Sequence, residues 1–255
     1  MSLRGLRLDQ ALVARGLAES RTQAQALVMA GRVFSGEQRL EKPGHHIGGD
    51  QVIEVRGALH PWVSRGGLKL DHGLSHFSIS VEGVMALDIG ASTGGFTDVL
   101  LARGAARVTA VDVGRGQLAW KLRQDPRVTV LEGINARYLT RAQVPDAIDM
   151  VVCDASFIGL DLVLSASLAL ARPGAHLIAL IKPQFEVGKG RVGKGGVVRD
   201  ATLHEEVIAR VSAWLETAMG WAVMGITESP VRGAKGNREF LICAHNGDGE
   251  SRACG

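Results

Sequence analysis

Ala86-Leu87-Asp88-Ile89-Gly90-Ala91-Ser92-Thr93-Gly94-Gly95-Phe96, followed by Val111-Asp112 and by Val151-Val152-Cys153-Asp154, decides the fold of this chain. An apolar run that breaks into a glycine-rich turn and then an amphipathic helix opens a nucleotide-like ligand site at the carboxyl edge of a parallel α/β sheet. Two further apolar runs each end in an aspartate at that edge. The glycines let the backbone approach a ligand at angles that a Cβ opposes. The turn departs from GxGxxG, so it is not a dinucleotide fingerprint. Asp112, closing the next strand, is placed to accept two hydrogen bonds from a ribose diol.

Outward from this stretch, helix and strand patterns alternate from Ser64 on, which predicts βαβ units and a mostly parallel sheet. Strands are expected at Met85–Ile89, Arg107–Val111, Val128–Leu131, Ile148–Cys153, His176–Ile181, Ala222–Glu228 and Glu239–Ala244, with a helix over Thr202–Met219. Leu160 to Ile181 is apolar enough to suggest a membrane span. Arg172, Pro173, Gly174 and His176 cut it into a buried helix and a buried strand. Gly188 to Lys194 fits the pattern GxxxxGK, but Gly195 stands where Ser or Thr should hold magnesium, and the segment lies beyond its strand, so no phosphate loop is assigned. Five basic residues from Lys182 to Arg199 against the single Glu186 make instead a cationic loop suited to an RNA backbone.

Residues 1 to 70 hold ten Lys/Arg against six Asp/Glu, while the rest hold nineteen against twenty, so the formal charge of +3 belongs to the N-terminal part. Two short helices are expected over residues 7 to 31, with Ser20 capping the second, Gln23 completing a capping box and Gly31 ending it. Short strands follow at Arg32–Phe34 and Gln51–Val55. Arg4, Arg7, Arg15, Arg21, Arg32, Arg39 and Lys42 decorate this unit, which suits the phosphates of folded RNA. Gly57 to Val63 reads as a linker, with Trp62 expected to bury its ring between the two units. The expected division is residues 1–56, a linker at 57–63, a large domain at 64–246 and a disordered tail at 247–255. Cys153, Cys243 and Cys254 form neither a CxxC pair nor an even disulfide framework, so a reducing cytoplasm is expected. The N-terminus has no uninterrupted apolar core, so it does not read as a signal peptide.

Lys182 ends the run Leu177-Ile178-Ala179-Leu180-Ile181, putting an amine at the rim of a hydrophobic sheet beside Asp154. A lysine in such surroundings can serve as a general base. Lys69 and Glu239 are the other ionisable groups that the fold can bring to this edge.

The order of elements in the first unit resembles the small alpha-L RNA-binding domain of a ribosomal small-subunit protein, pseudouridine synthases and tyrosyl-tRNA synthetases. Ser64-Arg65-Gly66-Gly67-Leu68-Lys69-Leu70, Gly90 to Thr97, Cys153-Asp154-Ala155-Ser156-Phe157 and Ile181 to Gly190 resemble the TlyA, or haemolysin A, family over nearly the whole chain. The resemblance implies an alpha-L RNA-binding domain joined to an FtsJ-like, Rossmann-like class I methyltransferase domain with a mostly parallel seven-stranded sheet. It further implies methylation of a ribose 2′-hydroxyl, of a cytidine, in ribosomal RNA with S-adenosyl-L-methionine. A Lys-Asp-Lys-Glu tetrad would fall on Lys69, Asp154, Lys182 and Glu239. Gly90, Ala91, Ser92, Thr93, Gly94, Gly95 and Phe96 would hold the methionine part, Asp112 the ribose, and Val113, Asn135 and Asp154 would complete the cofactor site. Arg4, Arg7, Arg21, Arg32, Arg65, Lys189 and Arg191 would meet RNA. Neither a metal nor a membrane is expected, and the free protein is expected as a monomer or weak dimer in the cytoplasm.

Two competing functions remain: a non-catalytic RNA-binding or ribosome-assembly factor, and the pore-forming toxin that the family's second name suggests. An intact tetrad and glycine turn argue against the first. The absence of a membrane span and of a long cationic amphipathic helix argues against the second.

Overall fold

The computed structural model describes residues 5–18, 20–49, 51–56, 60–188 and 190–247. The chain divides into two units between Pro61 and Trp62. The first contains β1 (Leu6–Arg7), α1 (Leu8–Ala14), α2 (Arg21–Met29), β2 (Val33–Ser35), β3 (Gln38–Arg39), β4 (His46–Ile47) and β5 (Glu54–Val55). Strand β2 pairs antiparallel with both β3 and β5, and β1 pairs with β4. Helix α2 starts where Ser20 Oγ accepts the Gln23 N–H at 3.2 Å, satisfying one of the free amides of the first turn. Leu8, Leu12, Leu27, Val28, Val33 and Ile47 share the small core.

The second unit contains α3 (Gly66–His76), β6 (Met85–Ile89), α4 (Gly95–Ala102), β7 (Arg107–Asp112), α5 (Trp120–Arg123), β8 (Val128–Glu132), β9 (Ile148–Cys153), α6 (Leu160–Ala169), β10 (Ala171–Ile181), α7 (Pro183–Glu186), α8 (Ala201–Trp214), β11 (Trp221–Glu228) and β12 (Phe240–Asn246). Its seven strands lie in the order β11-β12-β10-β9-β6-β7-β8. Pairs among β10, β9, β6, β7 and β8 are parallel, whereas β12 runs antiparallel to both neighbours. Alternate side chains of one strand enter separate cores: Leu177, Ala179 and Ile181 on one face of β10, Ile178 and Leu180 on the other. Burial on both faces is why these strands read as continuous apolar runs.

Several strand ends differ from the sequence expectation by one or two residues, and three larger departures have a physical reason. Strand β10 begins at Ala171, not His176, because a register shift between these residues absorbs Pro173, which has no N–H to give the ladder. The helix expected over Thr202–Met219 is α-helical only to Trp214; Leu215–Met219 widens into a π-type turn ended by Gly220 in the left-handed region. Trp62 and Val63, read from sequence as linker, belong to the second unit. The Val63 N–H donates to Asp98 Oδ2 at 2.8 Å, and a Cβ on Gly67 would lie 2.4 Å from the Trp62 ring.

Candidate active site

The chain leaves β6 toward β7 on one side of the sheet and returns through β9 on the other, so a crevice opens between the carboxyl ends of β6 and β9. Gly90 (φ +77) and Gly94 (φ +95) turn the backbone there through the left-handed region. A Cβ on Gly90 would sit 3.0 Å from the Ala155 Cα, so the turns after β6 and β9 approach each other closely. A Cβ on Gly95 would meet Ser64 Oγ at 2.3 Å and the Gly67 nitrogen at 2.8 Å, so the starts of α3 and α4 also touch. That contact brings α3, and Lys69 one turn in, to the crevice.

A cavity of about 470 Å³ fills the crevice, lined among others by Gly90, Ser92, Asp112, Val113, Asn135 and Asp154. Asp112 is fixed by the Ser92 N–H at 2.8 Å on Oδ2 and the Gly114 N–H at 2.7 Å on Oδ1. Asn135 Oδ1 accepts the Arg137 N–H at 3.1 Å. Ala91 and Phe96 are buried in the core instead of lining the cavity, and Gly94 and Gly95 shape the start of α4. Thr93 gives its carbonyl to the Ala119 N–H at 3.1 Å. Beneath the turn, fully buried Asp88 accepts a hydrogen bond from Thr97 Oγ1 at 2.6 Å on Oδ2, while its Oδ1 has no partner. Burial pushes the Asp88 carboxyl up from 3.8 to about 7, partly offset by Thr97 and reinforced by the charge of Asp154.

Four charged side chains distant in sequence converge at the same edge. Asp154 follows β9, Lys182 follows β10, and Glu239 precedes β12, whose reversed direction puts its start beside the ends of the parallel strands. Lys69 Nζ donates to Glu239 Oε2 at 2.8 Å and lies 3.5 Å from Asp154 Oδ2. Lys182 Nζ is 2.6 Å from Asp154 Oδ1, an ion-pair contact, and donates to the Asp154 carbonyl at 3.2 Å and to Ser156 Oγ at 2.7 Å. Lys69, Lys182 and Glu239 are buried. Burial opposes the Lys69 charge, but Asp154 and Glu239 outweigh it, and its pKa is raised. Gln184 Nε2 donates to Glu239 Oε1 at 3.1 Å, completing the carboxylate's support.

Ser156, Gln184 and Gln117, whose Oε1 accepts Ser92 Oγ at 3.1 Å, were not singled out from sequence. Ser156 and Gln184 lie inside the segments Cys153–Phe157 and Ile181–Gly190, so motif position was an available signal. Of the arginines read as RNA ligands, Arg7 and Arg21 both donate to buried Asp9 at 3.1 Å. Arg32 and Arg65 are exposed, and Arg191 pairs with Glu206 at 2.5 Å. Arg4, Lys189 and the tail from residue 248 lie outside the described residues.

Residues 62–246 match the FtsJ-like methyltransferase family. The chain belongs to this family. Residues 6–53 match the S4 domain, which accounts for the first unit of this FtsJ-like methyltransferase. The chain is 48% identical over 240 residues to the 16S/23S rRNA (cytidine-2′-O)-methyltransferase TlyA of Mycobacterium tuberculosis, covering 94% of this chain and 89% of that protein. It is 40% identical to hemolysin A of Brachyspira hyodysenteriae, covering 92% and 98%. A solved structure from Streptococcus thermophilus carrying the name hemolysin superposes with a TM-score of 0.78 at 42% identity, covering 97% of this chain and 90% of that one. Among the described residues no helix is long and apolar enough to cross a membrane.

Proposed function

We propose that this chain transfers the methyl group of S-adenosyl-L-methionine to the 2′-hydroxyl of a cytidine ribose in ribosomal RNA. The observation that carries this reading is the meeting of Lys69, Asp154, Lys182 and Glu239 beside a cavity that a glycine turn and Asp112 shape for a nucleoside. The residues present fit the cofactor. The volume suits a small organic ligand, Asp112 keeps free lone pairs for a ribose diol, and Gly90 leaves the backbone bare where a side chain would collide with Ala155. When bound, the cofactor supplies an electrophilic sulfonium methyl.

The chain's own residues do the rest. Asp112, Val113 and Asn135 hold the nucleoside part, and the Gly90–Gly95 turn holds the amino-acid part. Lys182, in its unprotonated form, takes the proton of the ribose hydroxyl. Lys69 stabilises the developing alkoxide from a fixed ammonium, which costs no reorganisation at the moment of reaction. Asp154 orients Lys182, and Glu239 orients Lys69. The basic first unit and the cationic loop after Lys182 grip the RNA, consistent with the S4 domain and with the substrate in the Mycobacterium tuberculosis relative's name. A ribosomal RNA substrate assigns the protein to the cytoplasm.

Lys182→Ala should abolish methyl incorporation into rRNA from labelled cofactor while cofactor affinity by calorimetry stays within about threefold. Near-normal turnover in this variant would refute the assignment. No methyl incorporation by the wild type would favour the assembly-factor reading, and mapping ribose methylation in rRNA with and without the gene locates the target.

A further inference from the structure

The partners of Lys182 define where its proton must come from, given the methyl transfer proposed above. Its Nζ meets three oxygens: Asp154 Oδ1 at 2.6 Å, the Asp154 carbonyl at 3.2 Å and Ser156 Oγ at 2.7 Å. Asp154 Oδ1 accepts no hydrogen bond, so the amine is hydrogen-bonded to the Asp154 carbonyl and to Ser156 and ion-paired to the carboxylate. An unprotonated amine has two N–H groups and one lone pair. The Asp154 carbonyl can only accept and the nearby Asp154 carboxylate repels a lone pair, so both N–H groups turn toward Asp154 and the lone pair faces Ser156. A serine hydroxyl, unlike a carboxylate or a carbonyl, can reverse its role and donate. Access points the same way. The Lys182 side chain keeps only 8% of its accessibility, whereas Ser156 is exposed and lines the cofactor cavity.

We infer that the Ser156 hydroxyl relays the proton from the ribose 2′-hydroxyl to Lys182, a catalytic role beyond the charged tetrad. As the 2′-oxygen forms its bond to the sulfonium methyl, the C–S bond breaks and its electron pair stays on sulfur. In the same step the 2′-hydroxyl proton passes to Ser156 Oγ, and the serine's own proton passes to Lys182 Nζ. Lys182 ends as an ammonium donating to Asp154 and Ser156, the arrangement seen here, and returns its proton to solvent once product leaves.

The test is single-turnover methylation of rRNA by full-length Ser156→Ala and Ser156→Thr, alongside cofactor Kd, RNA KM and a proton inventory in mixed H2O and D2O. Ser156→Ala should slow the chemical step at least tenfold with Kd and KM within twofold, and should turn a bowed two-proton inventory into a linear one. Ser156→Thr, which keeps the hydroxyl, should restore at least half of the rate. A Ser156→Ala rate within twofold of wild type, a loss explained by weaker cofactor binding, or no rescue by threonine would each overturn the relay. An active Lys182→Ala would instead overturn the reading on which the relay rests, so the two failures are separable.

Discussion

Asp88→Asn isolates the cost of keeping a carboxyl without a counterion under the glycine turn. The folded pKa of Asp88, about 7, stands above its unfolded value of 3.8, so the native state binds the extra proton between these limits. Stability from this group is therefore greatest at low pH and falls as pH rises. The interval, at roughly 1.4 kcal/mol per pH unit, amounts to roughly 4 kcal/mol at alkaline pH, of which roughly 2–3 kcal/mol is lost between pH 5 and pH 7. For a unit of this size that is roughly 5–10 °C in Tm. Asparagine keeps the acceptor for Thr97 Oγ1 and cannot ionise. Urea or thermal unfolding of both proteins from pH 5 to pH 8 should show the stability difference shift in favour of the variant by roughly 2–3 kcal/mol between pH 5 and pH 7 and level off above it. A difference that stays constant across this range would refute the account, because it would mean that Asp88 has the same proton affinity folded and unfolded.

Gly94→Ala should cost roughly 2–4 kcal/mol in urea unfolding, since the residue has φ +95 and its Cβ would lie 2.2 Å from Leu122 Cδ1 and 2.8 Å from Leu118 Cδ1. Gly36→Ala, at φ +55 with nothing within 4 Å, is the control for backbone strain alone and should cost about 1 kcal/mol. Glu239→Gln should lower the pKa of Lys69; because that pKa is raised, its ion pairs stabilise the fold below about 10.5 and are lost above it, so alkaline unfolding should begin at lower pH in the variant, with methylation impaired. Asp112→Ala should weaken cofactor binding at least tenfold by calorimetry and leave the rate at saturation within about threefold, since the carboxylate touches the nucleoside and not the reacting atoms.

Much of this was legible in the chain. Strands β6, β7, β9 and β10 were readable because burial on both faces writes an apolar run, edge strand β8 because Val128, Thr129 and Val130 are β-branched, and Asp112 and Asp154 because each ends a run. The start of β10 was misplaced because Pro173 ordinarily ends a strand, and only pairing with β9 shows that a register shift tolerates it. Trp62 read as linker because a lone aromatic beside Gly and Pro has no period; its partner Gly67 is a close approach in space. Arg7 and Arg21 read as RNA contacts, and their shared pairing with the buried carboxylate of Asp9 comes only from the packing of α1 against α2.

Local pattern alone therefore determined the class of fold, the glycine turn, the strand-ending carboxylates and the basic first unit, because backbone preference and hydrophobic period act over a few residues. Tertiary structure alone decided that Lys69 and Glu239, 170 positions apart, lie 2.8 Å from each other, and that Ser156 meets Lys182. The first contact follows from the reversed direction of β12 and the glycine contact between α3 and α4, the second from the parallel strands β9 and β10 ending side by side. Each depends on where separate elements pack, and no local period or backbone preference encodes the distance.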